Sequence, residues 1–393
     1  MKVLFLTPRF PYPPIKGDQA IPYYRLKELG GRHEITLLTF YEKDSDLAGL
    51  EHLRPFCREI HAVKLPRWLS VANMLFLGAF SSVPFQVLYF RSPAFARKLE
   101  EVLAAGKFEV AHVFMLRLLP YLAKVSAPKL LELVDSMALN MRRRASTEGP
   151  LTRWLFAEEA RRVDAYEPAA ARSAQRLVVV SRKDREYIPG DNVSVIPLGV
   201  DTELFRPAPA RQPRPVIIFT GNMGYAPNVT AALWFAERCL PLIQSEIPGA
   251  ELVIAGARPA PAVLALGKRP GVKVTGPVDS MPGALAGAAV AVAPMQSGSG
   301  MQFKILEAMA CGLPVVATNL GVGDIQAVPG EQLLVADAAG EFAAAVVSLL
   351  RSPEAADALG KAARVFIEQN HSWTGAAAAV EKLYARLNSR ISQ

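Results

Sequence analysis

Residues 290–318 read VAVAPMQSGSGMQFKILEAMACGLPVVAT. Residues 290–294 form a short apolar run with the character of a buried strand. Ser297-Gly298-Ser299-Gly300 is a turn of small residues. Residues 301–311 read as a helix, which Gly312 and then Pro314 stop as a terminal glycine and a breaker do. Residues 314–318 form a second apolar run. Two apolar strands joined through a helix lie parallel in a sheet with helices on its faces.

The same alternation extends in both directions. Before this stretch the pattern predicts strands at 3–7, 34–40, 60–65, 110–114, 129–134 and 177–181, with helices at 18–29, 94–103 and 153–174. From residue 215 it predicts strands at 215–220, 251–255 and 272–275, with helices at 228–240, 281–286, 341–350, 354–369 and 373–388. Each half reads as a doubly wound α/β domain. The join holds Pro197, Pro207, Pro209, Pro213 and Pro215. The expected organisation is a first domain over 1–190, a linker over 191–214, a second domain over 215–370 and a closing helical segment, 371–393, that packs back toward the first domain. Two such domains face each other across a cleft at the carboxyl ends of both sheets, where ligands of α/β folds bind.

A length of 393 residues agrees with two domains. With 51% hydrophobic and 20% charged residues the chain is not disordered. Cys57, Cys239 and Cys311 make neither a disulfide framework nor a zinc spacing, which fits a reducing compartment. No signal peptide is read at the start. The apolar stretch 68–90 is interrupted by Ser70, Asn73, Ser81, Ser82, Pro84 and Gln86, so no spanning helix is expected. The expected location is cytoplasmic. Residues 1–197 hold 29 Lys and Arg against 21 Asp and Glu, whereas residues 198–393 hold 15 of each. The excess positive charge of the first half suits anionic lipid or an acidic substrate, or is ordinary surface charge. No nucleic-acid-binding module is present.

The chemistry concentrates around the opening stretch. Gly298 and Gly300 let the backbone approach a ligand, and the N-terminus of the following helix suits a phosphate. Lys304 stands in the first helical turn, where a cation opposes the helix dipole unless an anion lies in front. Glu307 is three residues on and shares its face. A cation for phosphate and a carboxylate for hydroxyls is a sensible pair for a nucleotide sugar. The same pattern also fits a Gly-rich turn with an exposed Lys–Glu pair.

The segment resembles the donor-binding motif of family 4 retaining glycosyltransferases, which have the GT-B fold. Glu307 matches the second Glu of that motif, and Ala308, Ala310, Gly312, Pro314, Val315 and Val316 match its tail. The resemblance implies that Glu307 binds the nucleotide ribose and that the backbone of Gly298, Ser299, Gly300 and Met301 holds the donor pyrophosphate or sugar. Ser299 stands where the family has its first Glu, a departure that bears on sugar choice. A branch with a Gly-x-Gly turn and a downstream Lys is similar, and there Lys304 supplies the charge that stabilises the leaving diphosphate. VIPLGVDTELFRP (195–207), LVVVSRKD (177–184), FTGNMGYAPN (219–228) and VTGPVD (274–279) resemble further family segments in the family's order. They add Gly221, Asn222, Gly276 and Val278 to the donor side. Where many relatives carry Arg and Lys, the loop after residue 220 has Asn222, Met223 and Tyr225.

TPRFPYPPIKGDQAIPYYRL (7–26) resembles the family's first loop, with Gly17 as the small residue near the donor phosphates. Arg9, Lys16 and Arg25 cluster around it in sequence and, with Arg117, are expected on the acceptor side. Asp135 ends a predicted strand where a catalytic group of the cleft is expected, or caps the next helix. Phe114 occupies the place of the family's cleft His, so His112 is read as packed in the core. RFPYPPIKGD, Cys57 and VDSMALNMRRRA are similar to sugar transferases of exosortase/PEP-CTERM exopolysaccharide systems.

The resemblance thus implies retaining transfer of a sugar from a nucleoside-diphosphate donor, with neither cofactor nor metal. The acceptor is a saccharide, read as lipid-linked, and the basic first half would touch an anionic membrane. The competing readings are a nucleotide-sugar-binding protein without turnover and a GT-B epimerase. A NAD oxidoreductase is disfavoured because no GxGxxG follows the first strand.

Overall fold

The computed structural model describes residues 1–14, 17–147, 149–188, 190–208, 214–297 and 301–389. They divide into two compact units, Met1–Leu198 with Ala376–Gln393, and Gly199–Gly375.

The first unit is built on seven strands: β1 Lys2–Thr7, β2 Glu34–Tyr41, β3 Glu59–Lys64, β4 Val110–Phe114, β5 Lys129–Val134, β6 Arg176–Val179 and β7 Val193–Val195. Their order is β3-β2-β1-β4-β5-β6-β7, and every pairing is parallel. The central strands are buried along almost their whole length, as strands covered on both faces must be. Strand β7 lies inside the stretch expected as linker. The order reverses between β1 and β4, which opens a crevice at their carboxyl ends.

Alternation sends Leu4, Leu6 and Leu131 to one face, where they meet Phe40, Phe95, Leu99 and Val163. Each Leu or Phe enclosed this way contributes about 1.5–3 kcal/mol. Phe5 and His112 are register partners, and their rings lie 4.3 Å apart. Tyr384 is buried in the same unit, on the closing helix Trp373–Ser389.

The second unit has six strands: β8 Val216–Thr220, β9 Glu251–Ala255, β10 Val272–Gly276, β11 Val290–Ala293, β12 Val315–Ala317 and β13 Leu334–Val335. Their order is β10-β9-β8-β11-β12-β13, again parallel, and it reverses between β8 and β11. The helix expected at 228–240 is longer: Ala226–Trp234 continues through a π turn, Phe235–Cys239, into Leu240–Glu246. The helix after the small-residue turn spans Phe303–Ala310 and buries Ile305, Leu306, Ala308, Met309 and Ala310. Gly312 follows it at φ 64, the left-handed conformation that a helix-ending glycine adopts at little cost.

Residues 67–89 fold as short helices: Arg67–Ala72, a π turn Asn73–Leu77, Gly78–Phe80 and Phe85–Tyr89. Among the described residues no helix is long and apolar enough to cross a membrane.

Candidate functional site

The reversal between β8 and β11 places Lys304 at the carboxyl edge of the second sheet. Its ammonium donates to Asn228 Oδ1 at 2.6 Å and Gln302 Oε1 at 3.3 Å, and lies 3.4 Å from Met295 Sδ. Asn228 stands on the helix after β8, and Met295 follows β11, so the lysine spans the switch point. It also lies 5.1 Å over the Phe219 ring. All these partners are uncharged, and among the described residues Lys304 makes no ion pair. Burial pushes its pKa down to about 7, and Glu307 pulls the other way. A half-buried cation held only by neutral acceptors is a receptor for an anion.

Asn228 is oriented by its own second bond. It is buried, and Nδ2 donates to the Asn222 carbonyl at 3.0 Å, which leaves Oδ1 for Lys304. Gly221 permits this approach: at φ 150, a Cβ there would stand 2.8 Å from Asn228 Nδ2. Gly256 closes on it from β9, where a Cβ would fall 1.8 Å from the Gly221 carbonyl oxygen. The Gly256 amide in turn donates to the Gly276 carbonyl at 2.9 Å. The ends of β8, β9 and β10 are thereby laced together through backbone, with half-buried Val278 in the turn beyond β10.

Glu307 is half-buried on the helix Phe303–Ala310, and its carboxylate makes no hydrogen bond or ion pair with a described residue. Burial raises its pKa to about 7, and Lys304 lowers it. Gln302, at the helix start, makes no side-chain cap hydrogen bond to the first amides of the helix. Met301 is buried. Gly298, Ser299 and Gly300, expected to hold the pyrophosphate or sugar, lie outside the described residues.

In the first unit the expected residues separate into two groups. Arg25 does not belong on an acceptor surface, a correction of the expectation. It is enclosed and pairs with Glu132, Nη2 to Oε1 at 3.0 Å. His112 completes the network, Nε2 at 3.0 Å from Glu132 and Nδ1 at 2.6 Å from the Tyr384 hydroxyl. Burial alone would raise the Glu132 carboxyl, but Arg25 and His112 bring it down to about 2. Burial keeps His112 below the usual histidine range. The group is a structural tie between strands and closing helix.

Arg9, Asp18, Arg117 and Asp135 form the second group, at the carboxyl edge of β1, β4 and β5. Gly17 opens the helix Gly17–Gly30, and Asp18 beside it pairs with Arg9 at 3.3 Å. Lys16 lies outside the described residues. Arg117 donates from Nε and Nη2 to Gln86 Oε1 at 3.1 and 2.8 Å, over the Phe90 ring. Burial depresses its pKa; Asp18 and Asp135 counter this and Arg9 adds to it. Asp135 accepts from Asn140 Nδ2 at 3.0 Å. Burial and then Asp184 raise its carboxyl above the usual range. The cap of the helix Met137–Thr147 is instead Ser136, whose Oγ accepts from the Leu139 amide at 3.2 Å, and Glu167 accepts from the Met137 and Ala138 amides at 2.6 and 3.3 Å. Met115 at φ 71 and Val134 at φ 74 stand at the ends of adjacent β4 and β5. Each such residue costs about 1–3 kcal/mol, which the surrounding structure offsets.

Sequence reasoning missed Asn228, Gln302 and Glu132. Asn228 closed a quoted loop, and Glu132 was the single charge inside LLELV; both were visible signals. What they bind was not, because the partners lie 76 and 107 residues away.

Residues 214–352 match the family described as Glycosyl transferases group 1. A Mycobacterium tuberculosis protein, GDP-mannose-dependent alpha-(1-6)-phosphatidylinositol monomannoside mannosyltransferase, is 31% identical over 221 residues. That stretch is 50% of this chain and 57% of the relative, so the chain spans little more than half the relative's length. Anabaena Alr3699/HepE, solved in complex with UDP, superimposes with TM-score 0.68 at 14% identity, covering 98% of this chain and 100% of that one. Sucrose-phosphate synthase from Thermosynechococcus elongatus gives TM-score 0.72 at 17% identity over 99% and 100%. At such identities the likeness shows the fold, which is GT-B with two parallel-sheet Rossmann-like domains.

Proposed function

We propose that the chain is a glycosyltransferase that moves a hexose from a nucleoside-diphosphate sugar to a saccharide hydroxyl with retention at the anomeric carbon. The observation that carries this reading is Lys304, a cation held by Asn228, Gln302 and Met295 at the β8–β11 switch point without a counter-ion among the described residues. The donor diphosphate is the anion it would take. The match of residues 214–352 to Glycosyl transferases group 1 supports the class. The mannosyltransferase relative makes GDP-mannose the first donor to try.

As the glycosidic bond to the diphosphate breaks, negative charge grows on the leaving oxygens. Lys304, drawn to its protonated form by that charge, stabilises it together with the helix-start amides. Glu307, whose carboxylate has no partner among the described residues, accepts from the ribose hydroxyls. In the first unit, Arg117 and Asp135 orient the acceptor. The acceptor is a lipid-linked saccharide of cell-surface or exopolysaccharide synthesis, met at the cytoplasmic face of an anionic membrane. The net +8 of residues 1–197 supports that location.

The test is release of GDP or UDP from a panel of nucleotide sugars, with and without a membrane lipid extract. Release that needs one donor and the extract is the expected result. Asn222, Met223 and Tyr225, in place of phosphate-gripping cations, favour a second reading, binding without turnover. That reading prevails if a nucleotide raises the melting temperature and no donor is consumed.

A further inference from the structure

The helical run from Arg67 to Phe80 is inside out. Its buried residues are Ser70 and Gly78, and the Ser70 hydroxyl is enclosed without a hydrogen-bond partner among the described residues. Its exposed residues are the large apolar ones: Trp68 at 73%, Leu75 at 67%, Phe76 at 72% and Phe80 at 93%, with Val71 between them. Positions 68, 71, 75 and 76 recur at helical spacing, and 80 follows one turn on, so they form one outward stripe.

The helix Pro150–Ser173 packs beside this run. Arg162 donates to the carbonyls of Gly78 at 2.9 Å and Val83 at 3.2 Å, and Glu159 accepts from the Phe85 and Gln86 amides. Leu155 lies two turns before Arg162 on the same helix face, and it and neighbouring Trp154 are also exposed. Lys64, Arg67 and Lys98 around the stripe pair with Asp44, Glu42 and Glu101, whereas exposed Arg91 and Arg153 make no ion pair among the described residues, which leaves the face with a positive excess. Residues 60–99 contain Lys64, Arg67, Arg91, Arg97 and Lys98 and no Asp or Glu. Exposed Arg144 lies on the preceding helix, over the Phe156 ring, and exposed Arg153 lies in the first turn of the second helix. Two copies of this face would set like charges against each other, whereas an anionic surface complements them.

We infer that the stripe is an in-plane anchor, with Trp68, Leu75, Phe76, Phe80 and Trp154 entering the boundary between headgroups and acyl chains of an anionic bilayer. Arg91, Arg144 and Arg153 lie at the headgroup phosphates. Aromatic and aliphatic side chains on one face and cations around them are what such an anchor needs. This rests on the membrane part of the proposed function and assigns it to particular residues.

The full chain is floated with phosphatidylcholine vesicles, with and without phosphatidylglycerol, while tryptophan emission is followed. Flotation with the anionic vesicles and a blue shift are expected. F76S/F80S, at an unchanged melting temperature, is expected to weaken partitioning about tenfold or more. Equal flotation of F76S/F80S, or no flotation of the parent chain, overturns the inference. So does a lipid-free dimer that F76S/F80S disperses, since the stripe is then a self-interface. Donor consumption in solution is measured on the same samples. If the parent chain floats but consumes no donor, the enzymatic reading fails and the anchor stands; donor consumption without flotation has the opposite meaning.

Discussion

Lys304 is the residue on which the account turns, because its charge is conditional. With burial holding its pKa at about 7, the free protein carries a full ammonium only at lower pH. A diphosphate raises that pKa by opposite charge, so binding takes up a proton. Affinity for GDP or UDP is therefore expected to weaken as pH rises above about 7, by up to about tenfold per unit. Lys304→Met removes the charge and the preference for lower pH, and leaves Glu307, raised to about 7, to titrate in the opposite sense. Its kcat is expected to fall about 10²–10³-fold, the usual loss for one donor to a developing anion, read from initial rates at saturating donor. Glu307→Gln keeps the size of the side chain but loses the anionic acceptor. It is expected to raise KM for the nucleotide sugar more than it lowers kcat.

At the scale of strands and helices, function depends on how closely the strand ends approach. Gly256→Ala sets a Cβ 1.8 Å from the Gly221 oxygen at φ 145. Relief requires moving the loop that orients Asn228 toward Lys304. A loss of about 1–3 kcal/mol in urea denaturation is expected, together with weaker nucleotide binding. The strand–helix–strand unit of residues 290–318 was legible from sequence because its signals are local: apolar runs, a small-residue turn, and Gly312 with Pro314 as a stop. Lys304 and Glu307 were legible for the same reason. Arg25 was misplaced because its sequence neighbours, Arg9 and Lys16, suggested a shared surface, whereas helical periodicity turns it inward to Glu132. Asn228 was passed over because an Asn at a helix start is commonly only a cap. The outward stripe of residues 67–80 was visible as apolar composition, but which face is buried depends on Ser70 and Gly78 packing inward.

Across the whole molecule, two features are set by charge. The Arg25–Glu132–His112–Tyr384 network ties the closing helix to the first sheet, and its carboxyl is held at about 2. A carboxyl depressed in the fold stabilises above its unfolded pKa near 4.3 and loses that contribution as pH falls through about 2. Glu132→Gln leaves Arg25 buried without its counter-ion. A cost of about 3–5 kcal/mol is expected in urea denaturation at neutral pH, shrinking as pH falls toward 2. The second feature is the net +8 confined to residues 1–197. The most direct measurement of the central claim is calorimetric titration of GDP and UDP into the parent chain and Lys304→Met, at pH 6 and pH 8. One nucleotide binding the parent chain, more tightly at pH 6, with the affinity weakened and the preference for pH 6 lost in Lys304→Met, is the outcome expected. Equal binding to both proteins at both pH values, or no binding of either nucleotide, would contradict it.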